Sequence, residues 1–329
     1  MSEPVPSATA DDQSPSGSSP ARRRAWLIVR WVVGLLTVWV LVRVAIRQAD
    51  ELREVDITLQ PWWLPLAALF SVGAGLVLPL AWRHVLVAYG WSIGRGRALR
   101  IWCLSQATRY LPTGAVAVAS RLSLTAAEGV PRSVAAASFA VESVLLIGWA
   151  TLIGAIFIPS TIVSTPARVV LGVGAAVGLV TLPWSMRFLG GRLKRLEALA
   201  PDRLQHKELV EAIGLFGVNS TLRAARFVAL AAALLPIGWG DVPLVLGAGY
   251  AGVVAGMIGI TPAGLGVREG VIVAVLYREF GVGDAAALAV ALRAWDFVFE
   301  LGFLAVATWV GRHRPEIPEP TEPGHETSE

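Results

Sequence analysis

The sequence predicts an all-α polytopic membrane protein with about six full membrane spans and two re-entrant helical hairpins. Hydrophobic residues make up 55% of its 329 residues and charged residues 16%, whereas soluble domains carry roughly 25% charged residues. The mean hydropathy is +0.61, and the apolar residues fall in long blocks, as membrane-spanning helices require. Helices satisfy their own backbone hydrogen bonds inside lipid, and open sheets cannot.

The composition divides the chain into three regions. Residues 1–24 are rich in Ser, Pro and Ala, and we expect them to form a disordered cytoplasmic segment. Residues 25–311 contain the apolar blocks and form the predicted transmembrane domain. Residues 312–329 are rich in Pro and Glu and are expected to form a disordered cytoplasmic tail. The arginines at 22–24 do not indicate a signal peptide, because the apolar block after them is too long and no cleavage site follows it.

Seven apolar blocks are candidates for spanning helices. They cover residues 26–46, 62–82, 134–158, 169–184, 209–235, 244–260 and 285–310. The sequence pI is about 9.7, but Lys and Arg lie mainly in the loops between the blocks, as the positive-inside rule produces. We therefore expect no nucleic-acid partner. The alternation of basic and acidic loops predicts a multi-pass protein of the cell (plasma) membrane with both termini in the cytoplasm.

Two segments interrupt this alternation of sides. Residues 101–120 lie between two basic loops, and residues 244–280 lie between two loops assigned to the outer face. Each segment contains a Pro-x-Gly sequence that breaks a helix. The predicted breaks are at Pro112 and Gly114 in the first segment and at Pro262, Gly264 and Gly266 in the second. The simplest interpretation is two re-entrant hairpins that enter from opposite faces.

The two breaks also belong to a weak internal repeat. Pro112 precedes Gly129 by 17 residues, and Pro262 precedes Gly281 by 19. Each of these glycines is followed by Val and then by a span that contains an acidic residue. Two hairpins of opposite sidedness would form an inverted repeat, which in transporters places the binding site near the middle of the membrane.

Ionisable residues inside the apolar segments are costly in hydrocarbon and are therefore functional candidates. Guanidinium groups bind phosphate through paired hydrogen bonds, and a helix that begins near residue 267 directs its N–H groups at the second break. The predicted anion ligands are Arg109, Arg121, Arg268 and Arg293. The predicted proton-coupling or pairing carboxylates are Glu142, Glu269 and Asp296. The structural alternative is a set of ion pairs that holds the helices together.

Helix geometry limits which of the charged residues can pair with one another. Arg268 and Glu269 are adjacent and point to different faces of a helix, so we do not expect them to pair with each other. Glu142 has no basic residue in its own span, and Arg109, Arg121 or Arg268 could serve as its partner. Three further polar residues share one helix face by their spacing, namely Asn219, Arg223 and Arg226.

The sequence shows little sign of catalytic chemistry. It contains one cysteine, Cys103, and four scattered histidines, so neither a disulfide nor a metal site is expected. We find no nucleotide-binding loop and no nucleophile motif. The sequence therefore predicts no cofactor and favours a transporter over an enzyme. The glycines of residues 247–259 are expected to allow close helix packing rather than to form a ligand site.

Four stretches resemble one known family. "RYLPTGAVAVASRLSLTAAEGV", "FAVES", "TPAGLGVREGVIVAVLY" and "ALRAWD" resemble the lysylphosphatidylglycerol synthetase transmembrane-region family of flippase-like membrane proteins. The resemblance covers most of residues 100–310. The family pattern falls on Pro112, Gly114, Arg121, Glu142, Pro262, Gly264, Gly266, Glu269 and Arg293. Thr113 departs from it, because the family often has a second glycine there.

The resemblance implies a protein that flips a phospholipid or lipid-linked intermediate, of anionic or polyprenyl-phosphate type, across the cytoplasmic membrane. The lipid-headgroup ligands would then be Arg109, Arg121, Arg268 and Arg293. Larger family members add a soluble aminoacyl-transfer domain, which we expect to be absent because this sequence ends in a tail at Glu329. Two alternatives stay open. The protein could be a membrane-embedded transferase with Glu142 or Glu269 as general base, or a non-catalytic partner of a lipid-modifying enzyme or glycosyltransferase.

Overall fold

The computed structural model describes residues 59–108, 114–192, 204–258, 264 and 266–312. This part of the chain is helical and contains no strand, so the all-α class is confirmed. Its helices are α1 (Trp63–Ala88), α2 (Arg95–Ala107), α3 (Gly114–Ala126), α4 (Arg132–Phe157), α5 (Thr165–Arg192), α6 (His206–Leu234), α7 (Val242–Ile258) and α8 (Val267–Arg312). The first predicted span, the N-terminal segment and residues 313–329 lie outside the described residues.

Six of the predicted apolar blocks correspond to helices α1 and α4–α8. Three described helical stretches are both long and apolar enough to cross a membrane, namely Trp63–Ala88, Arg132–Phe157 and Thr165–Phe188. Helix α6 has 29 residues, which is about 43 Å at 1.5 Å per residue, but it contains Arg223 and Arg226. The prediction of a membrane protein built from apolar helices is therefore supported.

Helix α8 changes direction at Gly281, whose φ of 82° and ψ of 163° are not helical. It therefore has a first arm, residues 267–280, and a second arm, residues 282–312. Gly129, at the corresponding place in the first repeat, lies between α3 and α4 with a φ of 85°. Glycine adopts positive φ at little cost because it has no Cβ. The glycines of the two Gly-Val sequences thus share a positive φ as well as a sequence pattern.

Both predicted breaks lie between short helices. Helices α2 and α3 have 13 residues each, so each is about 20 Å long, less than the roughly 30 Å of a bilayer core. Helix α2 packs against α3, and α7 packs against α8. The breaks themselves, residues 109–113 and 259–263, lie outside the described residues, and with them Arg109, Pro112 and Pro262.

Helices α1 and α6 form the most extensive helix pair of the described structure. They run antiparallel and are joined by backbone hydrogen bonds near both ends. The N–H of Gln60 donates to the Ala233 carbonyl at 2.8 Å, and the N–H of Gln205 donates to the Ala88 carbonyl at 2.9 Å. Between these ends, Nδ2 of Asn219 donates to the Ala74 carbonyl at 2.9 Å. The register of the pair is therefore fixed at three levels.

Glycines of α7 allow close contact with its neighbours. A Cβ on Gly247 would lie 2.7 Å from the Phe157 carbonyl oxygen, and one on Gly252 would lie 3.0 Å from the Arg268 carbonyl oxygen. Both distances are shorter than ordinary contacts, so larger residues would push α7 away from α4 and α8. These contacts support the helix-packing role predicted for this glycine-rich segment. The expectation that the segment forms no ligand site does not hold for Gly256, which lines a cavity among the helices.

Candidate anion-binding site in the helix bundle

A cavity of about 300 Å³ lies among helices α1, α2, α4, α6, α7 and α8. Its apolar wall comes from both parts of the hydrophobic core, because Leu78 and Trp102 belong to one core cluster and Ala150 and Tyr250 to the other. Its polar wall is formed by Gln106, Asn219, Ser220, Arg223, Arg268, Arg293 and Glu300. The cavity therefore lies where the two core clusters meet.

The charged wall of this cavity is predominantly cationic. It contains three arginines, Arg223, Arg268 and Arg293, and one acidic residue, Glu300. Of the predicted headgroup ligands, Arg268 and Arg293 line the cavity, Arg121 lies outside its lining, and Arg109 falls outside the described residues. An apolar bundle that holds several guanidinium groups around one space can receive an anion.

Asp296 links three segments of the chain. Arg268 Nη1, on the first arm of α8, lies 2.8 Å from Asp296 Oδ2, and Arg226 Nη1, on α6, donates to Asp296 Oδ1. All three side chains are buried. One carboxylate therefore faces two guanidinium groups, which leaves this cluster with an excess positive charge.

These arginines also retain donors that Asp296 does not use. Nη2 of Arg268, and both Nε and Nη2 of Arg226, are buried and have no hydrogen-bond acceptor among the described residues. A buried donor without an acceptor costs about 1–3 kcal/mol, and more when it is charged. Arg268 lines the cavity, so an oxyanion there could accept its remaining hydrogen bond.

Glu269 stabilises the beginning of α8. Its Oε2 accepts a hydrogen bond from the N–H of Gly266 at 2.8 Å, the backward contact of a capping box. Its Oε1 lies 3.8 Å from Arg293 Nε. Because Arg268 turns instead to Asp296, the expectation that Arg268 and Glu269 do not pair is confirmed.

The second break brings two glycines into backbone contact. Gly264 has a φ of 68° and Gly266 a φ of 80°. A Cβ on Gly264 would lie 2.8 Å from the Cα of Gly256 on α7. The turn thus depends on glycine for its conformation and for its space, and it holds the start of α8 against α7. The corresponding Gly114 is the first residue of α3.

Arg121 and Glu142 form a second buried ion pair. Arg121 Nη2 lies 3.1 Å from Glu142 Oε2, and Trp102 Nε1 donates to Glu142 Oε1 at 3.1 Å. The Arg121 guanidinium lies 4.5 Å from the centre of the Trp82 ring and 5.8 Å from that of Trp102, within the range of cation–π attraction. Of the two candidate partners of Glu142 that the structure describes, Arg121 and Arg268, it is Arg121 that pairs with Glu142, and the third, Arg109, lies outside the described residues.

The two ion pairs have the same place in the two repeat units. Arg121 lies on the second helix of its short pair, and Glu142 lies on the helix that follows Gly129. Arg268 likewise lies on the second helix of its pair, and Asp296 lies beyond Gly281. Each pair therefore ties a short helix to the longer one after it. The headgroup role predicted for Arg121 stays a prediction, since its partners here are Glu142 and aromatic rings.

Several residues of the cavity wall and of the adjoining ion pairs lie outside the site predicted from the sequence. Arg223 and Arg226 were visible as charges in an apolar block, on one face with Asn219. Trp102 and Tyr250 gave no signal, because aromatic residues are common in apolar helices. The structure also brings together three possible metal ligands from separate helices, namely His84, Glu208 and Glu211. They do not belong to the cavity lining.

Comparison with known proteins gives one match. The family model described as the lysylphosphatidylglycerol synthase TM region matches residues 27–301. No curated protein and no solved structure matches the chain. The matched region covers most of the chain and includes both breaks, both buried ion pairs and the whole cavity lining. The chain belongs to the lysylphosphatidylglycerol synthase transmembrane-region family of membrane proteins.

Proposed function

We propose that the protein flips a phospholipid or lipid-linked intermediate with an anionic headgroup across the plasma membrane. The observation that carries this proposal is the cavity of about 300 Å³, with three arginines in its wall, inside a bundle of apolar helices. Ligand cavities in proteins typically begin near this volume. A lipid could place its headgroup there while its chains stay in the surrounding hydrocarbon.

The arginines are suited to a phosphate group. Guanidinium groups donate paired hydrogen bonds that match two phosphate oxygens. Arg268 uses Nη1 for Asp296, whereas its Nη2 is buried without an acceptor among the described residues. A phosphate oxygen that accepts from Nη2 would satisfy this donor and offset the excess positive charge of the cluster. Arg293 and Arg223 would contact other oxygens of the same headgroup.

The short helix pairs would provide the path that the lipid headgroup takes across the membrane. We propose that α2–α3 and α7 with the first arm of α8 are re-entrant hairpins of an inverted repeat, entering from the cytoplasmic and the outer face respectively. Both termini then lie in the cytoplasm. In transporters with this design, broken helices surround a central site and open to the two sides in turn. The shared place of the two ion pairs in the repeat units supports this proposal.

The carboxylates would couple lipid movement to protons. A desolvated carboxylate favours its neutral form, whereas a neighbouring guanidinium favours the charged form. If opening one hairpin separates Glu142 from Arg121, or Glu269 from Arg293, the released carboxylate would take up a proton. Re-pairing on the opposite side would release it. We propose that one of these two glutamates performs this cycle and that Asp296 keeps its arginines in place.

The proposal can be tested with purified protein in liposomes that contain fluorescent phosphatidylglycerol or a fluorescent polyprenyl phosphate. Addition of dithionite destroys the fluorescence of the outer leaflet, so lipid movement appears as further loss. We expect Arg268→Gln to slow this movement at least tenfold. Arg278→Gln is the matched control, because Arg278 is exposed on the same helix and contacts Tyr277.

Three results would contradict a flippase. The first is that the wild-type protein moves neither lipid. The second is that Arg268→Gln is as active as wild type, and the third is that Arg278→Gln is as impaired as Arg268→Gln. The same preparations test the alternatives. Conversion of the supplied lipid to a new product would favour the transferase, and activity that appears only after addition of a lipid-modifying enzyme would favour the non-catalytic partner.

A further inference from the structure

A second polar cluster lies outside the cavity, where the end of α1 meets the beginning of α6. His84 lies in the last two turns of α1, and Glu208 and Glu211 lie in the first two turns of α6. The two glutamates are three residues apart, so they project from the same face of α6. The proposed lipid site makes no use of these side chains.

The possible ligand atoms of these three side chains lie close to one another. His84 Nδ1 lies 2.8 Å from Glu208 Oε2 and 3.4 Å from Glu211 Oε2. The three ligand atoms all lie within 4.8 Å of one another. Bonds of about 2.0–2.1 Å to a tetrahedral zinc ion place ligand atoms roughly 3.3 Å apart. Small side-chain rotations would therefore bring all three onto one ion.

The backbone beside the cluster is already fixed. The N–H of Gln205 donates to the Ala88 carbonyl at 2.9 Å, which joins the chain just before α6 to the last residue of α1. The ligands come from two helices whose ends cannot separate without breaking this bond. A metal ion would therefore find its ligands near their final positions, with little loss of conformational freedom on binding.

The charges of the cluster also favour a cation. Two carboxylates lie beside one imidazole, and Lys207 Nζ lies 3.9 Å from Glu211 Oε1. The Lys207 side chain is 86% exposed, so this pair contributes little. A divalent cation between the carboxylates would offset their mutual repulsion far more effectively than the distant ammonium group.

We propose that His84, Glu208 and Glu211 bind a divalent transition-metal ion of the zinc class and that this ion fastens the end of α1 to the beginning of α6. Imidazole together with carboxylate suits zinc and its neighbours, whereas magnesium and calcium prefer oxygen ligands throughout. The side chains are 24–43% exposed, so water can complete the coordination. This site is independent of the proposed lipid site.

The test uses full-length protein in detergent, freed of any affinity tag and treated with a chelator. Isothermal titration with zinc chloride should show one ion bound per chain, and zinc should raise the melting temperature. His84→Ala and Glu208→Gln should each weaken zinc binding at least tenfold. Glu279→Gln, at an exposed glutamate on α8, should bind as wild type does. Magnesium or calcium chloride should give no comparable rise in melting temperature.

Two controls keep the result decisive. Lys207→Ala removes the competing ammonium group and should bind zinc at least as tightly as wild type. If His84→Ala does not fold, Glu211→Gln provides the comparison, since it keeps the size of the side chain. Binding should also weaken in acid, because protons compete for the ligands. The proposal is overturned if wild type binds no zinc, or if the ligand variants bind it as tightly as wild type.

Discussion

Arg268 and Asp296 are 28 residues apart and lie on opposite sides of the break at Gly281, yet Arg268 Nη1 is 2.8 Å from Asp296 Oδ2. The contact joins the two arms of α8, and Arg226 extends it to α6. A buried carboxylate that serves two arginines controls both the shape of the bundle and the charge of the cavity. A substitution of Asp296 therefore tests first how much this ion pair contributes to stability.

Asp296→Asn should destabilise the folded protein strongly. The change removes the negative charge that Asp296 presents to Arg226 and Arg268, and breaking a buried ion pair costs about 3–5 kcal/mol. Thermal unfolding in detergent should show a large fall in melting temperature, against little change for the exposed control Glu279→Gln. An Asp296→Asn protein as stable as wild type would mean that water or lipid already compensates these arginines.

Arg268→Lys should fail to replace arginine in lipid movement. Lysine keeps the positive charge but lacks the planar fork, which pairs with Asp296 and which in the proposed function also binds an oxyanion. We expect at least a tenfold loss of lipid movement in liposomes, with the exposed Arg278→Lys as control. Full activity of Arg268→Lys would show that charge is sufficient and that the fork is not used.

Glu269→Gln separates proton coupling from folding more clearly than Glu142→Gln. A glutamine at 269 can still accept the Gly266 N–H, as in a capping box, so its melting temperature should stay near that of wild type. Glu142→Gln leaves Arg121 buried without its counter-charge and should lower the melting temperature. If Glu269 is the coupling group, its glutamine variant should lose the dependence of lipid movement on a pH gradient.

The melting temperature and the response of lipid movement to a pH gradient are measured on the same preparations. An unchanged pH-gradient response in both glutamine variants would eliminate proton coupling by these residues. A loss of stability in both variants, with the response kept in the surviving protein, would favour a purely structural role. The comparison requires that the wild-type protein moves lipid and responds to the gradient.

Gly264→Ala should disrupt the second break. A residue with a side chain at a φ of 68° costs about 1–3 kcal/mol in strain, and its Cβ would meet Gly256 at 2.8 Å. We expect a clear fall in melting temperature. Gly270→Ala is the matched control, because a Cβ there meets nothing within 4 Å and alanine favours the helix. Equal stability of the two variants would contradict the close contact.

The topology can be tested by cysteine labelling. Cys103 is the sole cysteine of the sequence and is buried, so a Cys103→Ala background gives a clean start. Asp241→Cys and Asp284→Cys should react with a membrane-impermeant maleimide added to intact cells from outside. Ser185→Cys should react only after the cells are opened. Labelling of positions 241 and 284 only from the cytoplasmic side would remove the inverted arrangement of the hairpins.

The sequence allowed the helices and the repeat to be predicted because both depend on local patterns. Apolar length predicts spans, and Pro-Gly sequences predict breaks, independently of distant residues. The glycines at 129 and 281 emerged from the repeat alone, and the structure adds their common positive φ. The three candidate partners of Glu142 could be named but not ranked, since ranking needs the packing of α3 against α4.

The remaining contacts depend on helices that are distant in the sequence. Arg226 and Asp296 are 70 residues apart, and no periodicity within either helix shows that α6 and α8 bring them together. His84 and Glu208 are 124 residues apart, so the histidines looked scattered until α1 and α6 were paired. For such contacts the information lies in helix packing, which single-sequence patterns do not contain.

The backbone hydrogen bonds near both ends of the α1–α6 pair have a consequence for any transport cycle. With Gln60 joined to Ala233 and Gln205 joined to Ala88, neither helix can slide along the other without breaking contacts at both ends together. The pair would act as a stator, and the short helices around it would supply the moving parts. The distance between a spin label on α1 and one on α6 should then stay the same throughout turnover. The distance from α1 to a label on α2 or α7 should take two values.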